Sequence, residues 1–489
     1  MTNEQYKHTV TVVSHPHSAM ETANAATVHL RQPPRYFSQV LATLAMSIGP
    51  FAAGMGKGYS SPAIASLQQR DSANFTVTGQ QASWVASLSL LGALFGGIAG
   101  GAAMRCGRRR LLLIISAPLS ASWMATVFAI SVEVICVTSF VGGFCVAIVQ
   151  MVTQVYVSEI SVPAIRGGLS ALLKISGHIG VLVSFAAGAW LNWRQLAALV
   201  AVGPVALCVA VACVPETPSF LVLRGRDQEA ENALRWLRGD QADVHLEIAT
   251  IKAGVRSCKE KAAADDSACR LLVELREPVL ITCGLMFFQR FSGANAFNFY
   301  VVSVFRQTFS GMNPHGAAVA VALVQLLSTL LSGLLVDTAG RLPLLVASSV
   351  LMSLALAAFG SYAYYEDVHR HVLAGQLDWV PLLCVLVFTV AFSLGISPIS
   401  WLLVAELFPL EHRGLGTAMA ASFSYLCAFV GVKTFVDFQD LFGLHGAFWL
   451  YAALSVGGLC FIVCLVPETK GQNLIEMDPK HLSTSADVR

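Results

Sequence analysis

Twelve apolar stretches, each long enough to cross a bilayer, limit what this chain can fold into. They lie at about 37–63, 80–103, 111–130, 134–156, 170–191 and 195–214, and again at about 277–305, 314–336, 343–363, 380–404, 414–438 and 445–466. A membrane helix needs about 20 apolar residues. Lipid offers the backbone no hydrogen bonds, so a spanning chain is a helix or part of a closed barrel. Runs of this length predict helices. Only 12% of the residues are charged, against about 25% in soluble domains, and the mean hydropathy is +0.65. The class is an all-α polytopic membrane protein, whose solvent is the lipid bilayer. A net charge of +2 gives no reason to expect a nucleic acid.

A polar stretch divides the spans six and six. The expected domains are a disordered N-terminus over 1–35, a six-helix bundle over 36–214, a loop over 215–276, a second bundle over 277–470, and a tail over 471–489. The polar start and the long first run predict a retained first span rather than a cleaved signal. Lys and Arg set the orientation. Of the 31, 23 fall on the side shared by both termini and 4 on the other, so both termini are expected in the cytoplasm. The sequon Asn74-Phe75-Thr76 then sits in the first external loop, where Asn74 is a glycan acceptor. The 12 cysteines show no metal-ligand spacing and mostly lie in apolar segments, as small packing residues. No metal or cofactor is expected.

One span is unlike the others. Phe287 to Tyr300 carries Gln289, Arg290, Ser292, Gly293, Asn295 and Asn298 in the middle of an apolar run. A single amide in a span is ordinary helix–helix glue. This many, with a Ser-Gly break, predict a water-lined cavity and a substrate site at mid-depth.

The two halves repeat. Gly107-Arg108-Arg109 corresponds to Gly340-Arg341, Glu159 with Arg166-Gly167 to Glu406 with Arg413-Gly414, and Pro215-Glu216-Thr217 to Pro467-Glu468-Thr469. A duplicated half is a transporter plan. Arg105, Arg109, Glu159, Arg166, Glu216, Asp337, Arg341, Glu406, Arg413 and Glu468 all fall at the same ends of spans. They are read as ion pairs that close a cytoplasmic gate. The bland alternative is ordinary snorkelling charge.

These motifs, with Pro215 to Leu221, Gln289 to Asn295, Asp337 to Arg341, Pro398 to Glu406 and Pro467 to Gly471, resemble the sugar porter family of the major facilitator superfamily, the facilitative glucose transporters. Tyr59 to Ala63, Gln81 to Val85, Gln325 and Lys433 to Phe435 are similar to its insect facilitated trehalose transporter branch. The resemblance implies the major facilitator fold of twelve transmembrane helices in two six-helix bundles, with short helices in the central loop. It implies sugar uniport by alternating access in the cell membrane, and a monomer is expected. The sugar-contacting positions fall on Gln289, Asn295, Gln325 and Trp401, with Phe392 and Tyr300 lining or gating the cavity.

The chain also departs from the family. Lys174 and Arg290 stand where Gln is common, and both are candidate substrate contacts. Ser393 replaces a tenth-span acid, Tyr425 an eleventh-span Trp, Ser139 a fourth-span Arg, and Met104 the Asp of the first motif. The first span has no Asp or Glu, which favours facilitated diffusion over proton symport. A non-transporting nutrient receptor, and a carrier of an anionic sugar or polyol, remain as alternatives. No nucleophile–base set, phosphate loop or metal cluster suggests an enzyme.

Overall fold

A computed structural model describes residues 36–68, 77–239, 244–253, 276–308, 312–368, 379–408 and 413–468, apart from a few side chains among them. Asn74, the N-terminal stretch, the tail and the side chains of Asp337 and Arg413 lie outside the described residues. The first half is α1 (Tyr36–Leu67), α2 (Gly79–Ala103), α3 (Arg108–Val127), α4 (Val132–Ile160), α5 (Pro163–Ala187) and α6 (Trp193–Ala212). Capping boxes on Thr78 and Asn192 start α2 and α6 by satisfying their first backbone N–H groups.

Lipid supplies no hydrophobic drive between helices, so close backbone approach must hold them. Glycines provide it. A Cβ at Gly54 of α1 would lie 1.9 Å from the Gly177 carbonyl oxygen of α5. One at Gly143 of α4 would lie 1.8 Å from the Ser89 carbonyl oxygen of α2. Neither position has room for any other residue.

The connecting stretch folds as α7 (Pro218–Leu223), α8 (Asp227–Arg238) and α9 (244–253). They bury a small core of their own, Leu221, Ala233, Leu234, Val244 and Ile248 among it. Arg238 ties this unit to the membrane helices. It donates to the Ile160 carbonyl at the end of α4 at 2.7 Å and pairs with Glu247 at 2.8 Å.

The second half is α10 (Arg276–Arg290), α11 (Ala294–Thr308), α12 (Pro314–Ala339), α13 (Arg341–Val368), α14 (Trp379–Leu394), α15 (Ile396–Leu407) and α16 (Arg413–Leu465). α10 with α11 forms one interrupted span, and α14 with α15 another. α16 holds two spans that reverse at Gly443, whose φ of 72° breaks the helix. Ser424 hydrogen-bonds Arg290 and Phe461 packs on Phe288, so both touch the same end of α10. A straight helix would set those two residues about 55 Å apart. Ten of the described helices are long and apolar enough to cross a membrane, Gly416–Leu465 counting as one. Its reversal and the interrupted α10–α11 span bring the spans to twelve.

The repeated motifs fold identically. Gly107 and Gly340 take φ of 107° and 92°, and α3 and α13 begin on the next residue. Glu216 accepts from the backbone N–H of Arg108 and Arg109, each at 3.1 Å. Glu468 accepts from Arg341 at 3.1 Å and Leu342 at 2.8 Å. Each carboxylate thus neutralises a helix N-terminus whose first donors have no helical partner. Arg108 then pairs with Glu159 at 2.7 Å, and Arg341 with Glu406 at 3.3 Å. Arg109 turns instead to the carbonyls of Val211 and Ala212, and Arg166 to that of Ser161. Arg105 is exposed, and its carbonyl accepts from Arg224. Both described pairs stay within one half. Arg108, not Arg109, is the partner of Glu159.

The hydrogen bonds that join the halves among the described residues lie at the opposite end. The Ser61 hydroxyl accepts from the Val302 N–H at 3.0 Å, and Arg306 donates to the Ala65 carbonyl at 2.8 Å. Gln80 bridges α2 to α16, donating to Asp437 at 2.7 Å and accepting from Lys433 at 2.9 Å. Lys433 also lies 5.1 Å over the Trp84 ring, a cation–π contact.

Two predictions follow from this packing. Gly143→Ala forces the α2–α4 seam apart and should cost about 1–3 kcal/mol, the usual penalty for overpacking. Scanning fluorimetry of the detergent-purified protein should show a lower unfolding temperature; an unchanged one would mean the seam tolerates a methyl. Arg108→Ala and Glu159→Ala should be non-additive, with a coupling of about 0.5–3 kcal/mol in a double-mutant cycle. Strict additivity would show that the pair contributes nothing.

Candidate functional site

Two interrupted spans face each other in the second half. α10 ends at Arg290, and the Ser292 hydroxyl donates back to the Gln289 carbonyl at 2.8 Å. Gly293 takes φ of 86°, a conformation open to glycine, and α11 restarts on the next residue. The second interruption is at Gly395, between α14 and α15. Pro398 has no N–H, so the Leu394 carbonyl lacks its helical donor. The Ser332 hydroxyl donates to it instead at 3.4 Å. The Ser348 hydroxyl splices the break, donating to the Ala391 carbonyl at 2.7 Å and accepting from the Ile396 N–H at 3.3 Å. The sequence reading took 380–404 as one unbroken span. The Gly-Ile-Ser-Pro run was the signal for the break.

Gln289 ties the two interruptions together. Its Nε2 donates to the carbonyls of Ile396 and Ser397 at 3.2 and 3.1 Å. Its Oε1 has no protein partner, and neither has Asn295 Nδ2 or Ser393 Oγ. Gln289 and Asn295 are only 2% and 6% exposed. Buried polar atoms are nearly always hydrogen-bonded, so these three call for a ligand or water. Together they offer an acceptor, a donor and a hydroxyl, the set that a polyhydroxylated molecule matches.

Beside them lies a pocket with about 20 Å³ of interior, room for about one water. Asn298, Gln325 and Thr389 supply its polar lining, and Phe297, Phe388 and Phe392 its aromatic wall. Phe185 of α5 closes it from the first half. The Phe388 and Phe392 rings stack at 6.1 Å. The pocket is too small for a sugar in this structure, and it admits one only if the halves or these rings move.

Gln325 and Phe392 therefore sit in the pocket, and Gln289 and Asn295 at the interruption. Tyr300 does not line it. The Tyr300 ring is buried on Phe435, 5.0 Å between centroids, and its hydroxyl donates to the Val432 carbonyl at 3.4 Å. Trp401 is half-buried against the cluster of Met286, Val404, Phe408 and Ala420. Arg290 Nε donates to the Ser424 hydroxyl at 2.7 Å. Lys174 is exposed on α5. Sequence reasoning did not assign Phe185, Asn298 or Thr389 to the site. Asn298 lay within the polar stretch already singled out; Phe185 carries no polar signal and is found only from the fold.

Comparison with known proteins fits this architecture. The family model for sugar (and other) transporters matches residues 42–481. The facilitated trehalose transporter Tret1 of Polypedilum vanderplanki is 37% identical over 448 residues, covering 91% of this chain and 88% of that protein. Tret1 of Drosophila pseudoobscura pseudoobscura is 38% identical over 445 residues, covering 91% of this chain and 51% of that protein. The chain spans about half the length of the Drosophila relatives it matches. Among solved structures, the partially occluded inward open xylose transporter XylE from E. coli superposes with a TM-score of 0.75 at 22% identity, covering 89% of this chain and all of that one. That likeness shows the major facilitator fold. The chain belongs to the sugar (and other) transporter family.

Proposed function

We propose that this chain is a facilitative carrier that moves a sugar, a hexose or trehalose, down its gradient by alternating access. The observation that carries this reading is the pocket lined by Asn298, Gln325 and Thr389 with Phe388 and Phe392 and bordered by Phe185 of the other half, on interrupted spans that also carry three orphaned buried atoms, Gln289 Oε1, Asn295 Nδ2 and Ser393 Oγ. Sugar hydroxyls both donate and accept, and the Phe388–Phe392 stack offers an apolar face for a ring. Gln289, Asn295, Gln325 and Phe392 bind the substrate. Tyr300 and Trp401 act from the surrounding packing. The names of the trehalose-transporting relatives support the substrate class.

The proposed domains are the two six-helix bundles, 36–214 and 277–470, joined by the loop 215–276. The end that carries Glu159, Glu216, Arg341, Glu406 and Glu468 faces the cytoplasm of a cell-membrane protein with both termini inside, as the excess of Lys and Arg on that side directs. The pairs at that end gate the cavity by stiffening each half. Uniport is preferred to proton symport because α1 carries no Asp or Glu to relay a proton.

Purified protein in proteoliposomes should equilibrate labelled sugar and stop there. Accumulation above the external concentration under an imposed proton gradient would show symport instead. Asn295→Ala should lower uptake efficiency by about 2- to 10-fold, the worth of one neutral hydrogen bond, with little change in unfolding temperature. Equal uptake by the variant would remove Asn295 from the site. For orientation, a C-terminal tag should be unreachable by antibody on intact cells, and Asn74→Gln should abolish any glycan.

A further inference from the structure

Four basic side chains converge between the halves: Lys57 of α1, Lys174 and His178 of α5, and Arg290 at the end of α10. The helix seams place them. Gly54 meets the Gly177 carbonyl and Gly58 meets Val181, so Lys57 lies about one turn beyond His178 along the same seam, and a side chain that tilts back along its helix brings the two within reach. Lys174 and His178 are four residues apart and share one face of α5. α1 and α11 run in register, Ser61 against Val302 and Ala65 against Arg306, with the same separation of 241 residues. One turn back, that register sets Lys57 level with Asn298 of the pocket. Lys57 is within Coulombic reach of Arg290 and His178, and His178 of Lys174.

Among the described residues no carboxylate balances this charge. The described carboxylates of the membrane helices lie at span ends, such as Glu133, Glu159, Glu277, Glu406 and Asp437. Lys57 and Lys174 have no ion-pair or hydrogen-bond partner among the described residues, and Arg290 has only the neutral Ser424 hydroxyl. α1 is packed by α4, α5, α6 and α11, yet Lys57 near its middle is exposed. Lys57 keeps accessible surface while protein surrounds it, so it borders the inside of the bundle rather than its outer rim. A cation cluster in the interior of a membrane protein, without a carboxylate, marks a substrate path or an anion site.

We infer that the site takes a sugar that bears a carboxylate, a hexuronate or an aldonate. Gln289 and Asn295 read its hydroxyls, Lys57 and Arg290 hold its carboxylate, and Lys174 with His178 line the approach. Arg suits a carboxylate because its planar fork donates two parallel hydrogen bonds. The inference rests on the carrier reading above and puts an acidic sugar in place of its neutral one. A sugar phosphate shares the chemistry but brings a second negative charge.

The test measures proteoliposome uptake of labelled D-glucuronate, D-glucose, trehalose and glucose 6-phosphate. Thermal stabilisation of the purified protein by the same four compounds is measured beside it. Glucuronate should be taken up at least about tenfold more efficiently than glucose, and Lys57→Gln should lower that ratio about tenfold, while Lys57→Arg retains it. If Lys57→Gln does not fold, Lys174→Gln reads the same ratio. Stabilisation by glucuronate that is lost in Lys57→Gln, with no uptake of any compound, would support the anion site and overturn the carrier reading. Uptake of glucose or trehalose without response to glucuronate would overturn the anion site and leave the carrier standing. A stronger response to glucose 6-phosphate than to glucuronate would replace the carboxylate by a phosphate and overturn the inference as stated.

Discussion

The structure depends on the refusal of lipid to hydrogen-bond the backbone. That refusal makes every span a helix, and it makes any interruption of a helix costly unless protein or water takes up the released groups. The two interruptions in the second half meet the condition with side chains. Ser332 takes the Leu394 carbonyl and Ser348 splices Ala391 to Ile396, while Gln289 ties α10 to the start of α15 through the carbonyls of Ile396 and Ser397. One end of the Gln289 amide links the two interrupted spans, and its oxygen is left buried without a described partner. The pocket lies beside these breaks, lined by Ala294, Phe297 and Asn298 of α11 and Phe388, Thr389 and Phe392 of α14.

The duplicated motifs show the same economy at the arginine-rich end. A glycine with positive φ starts a helix, a glutamate from a distant loop caps it, and the first arginine of the helix pairs with a second glutamate. Each glutamate at a helix start satisfies N–H donors that have no helical partner, which holds whatever the rest of the half is doing. The contacts lie inside each half. They make two stiff bodies, and any relative motion must then occur at the surfaces between them.

The sequence made the number of spans, their division and the seventh-span break legible, because each rests on a local pattern of hydropathy or on Ser-Gly within an apolar run. The reversal at Gly443 was legible too, as a gap between two apolar stretches. The tenth-span break was not read, since Gly395 and Pro398 sit in an otherwise continuous apolar run. The partner of Glu159 was missed because Arg108, Arg109 and Arg110 are adjacent, and only the entry angle of α3 decides which of them points to α4. Tyr300 was taken for a residue lining or gating the cavity on the family resemblance; packing against Phe435 depends on α16, more than a hundred residues away. Lys57 was visible as a charge within a span, but its meeting with His178 needed the α1–α5 glycine seam.

The contrast between the two ends bears on how such a molecule can change state. At the arginine-rich end the described ion pairs are within halves, partly buried and charge-assisted, a class worth more than a neutral hydrogen bond. At the opposite end the halves are joined by Ser61 to Val302, Arg306 to Ala65, and the Gln80 bridge to Lys433 and Asp437. Gln80 is exposed and Asp437 half-buried, and polar contacts at such positions contribute about 0–1 kcal/mol each, whereas Ser61 to Val302 is buried and Arg306 brings a charged donor. Apolar packing joins the halves as well, since one buried cluster runs from Tyr59 and Phe185 of the first half to Phe297 and Phe435 of the second. Moving a two-state equilibrium from one side to the other takes about 5.5 kcal/mol of differential affinity, and the surface between the halves is where those contacts must be exchanged.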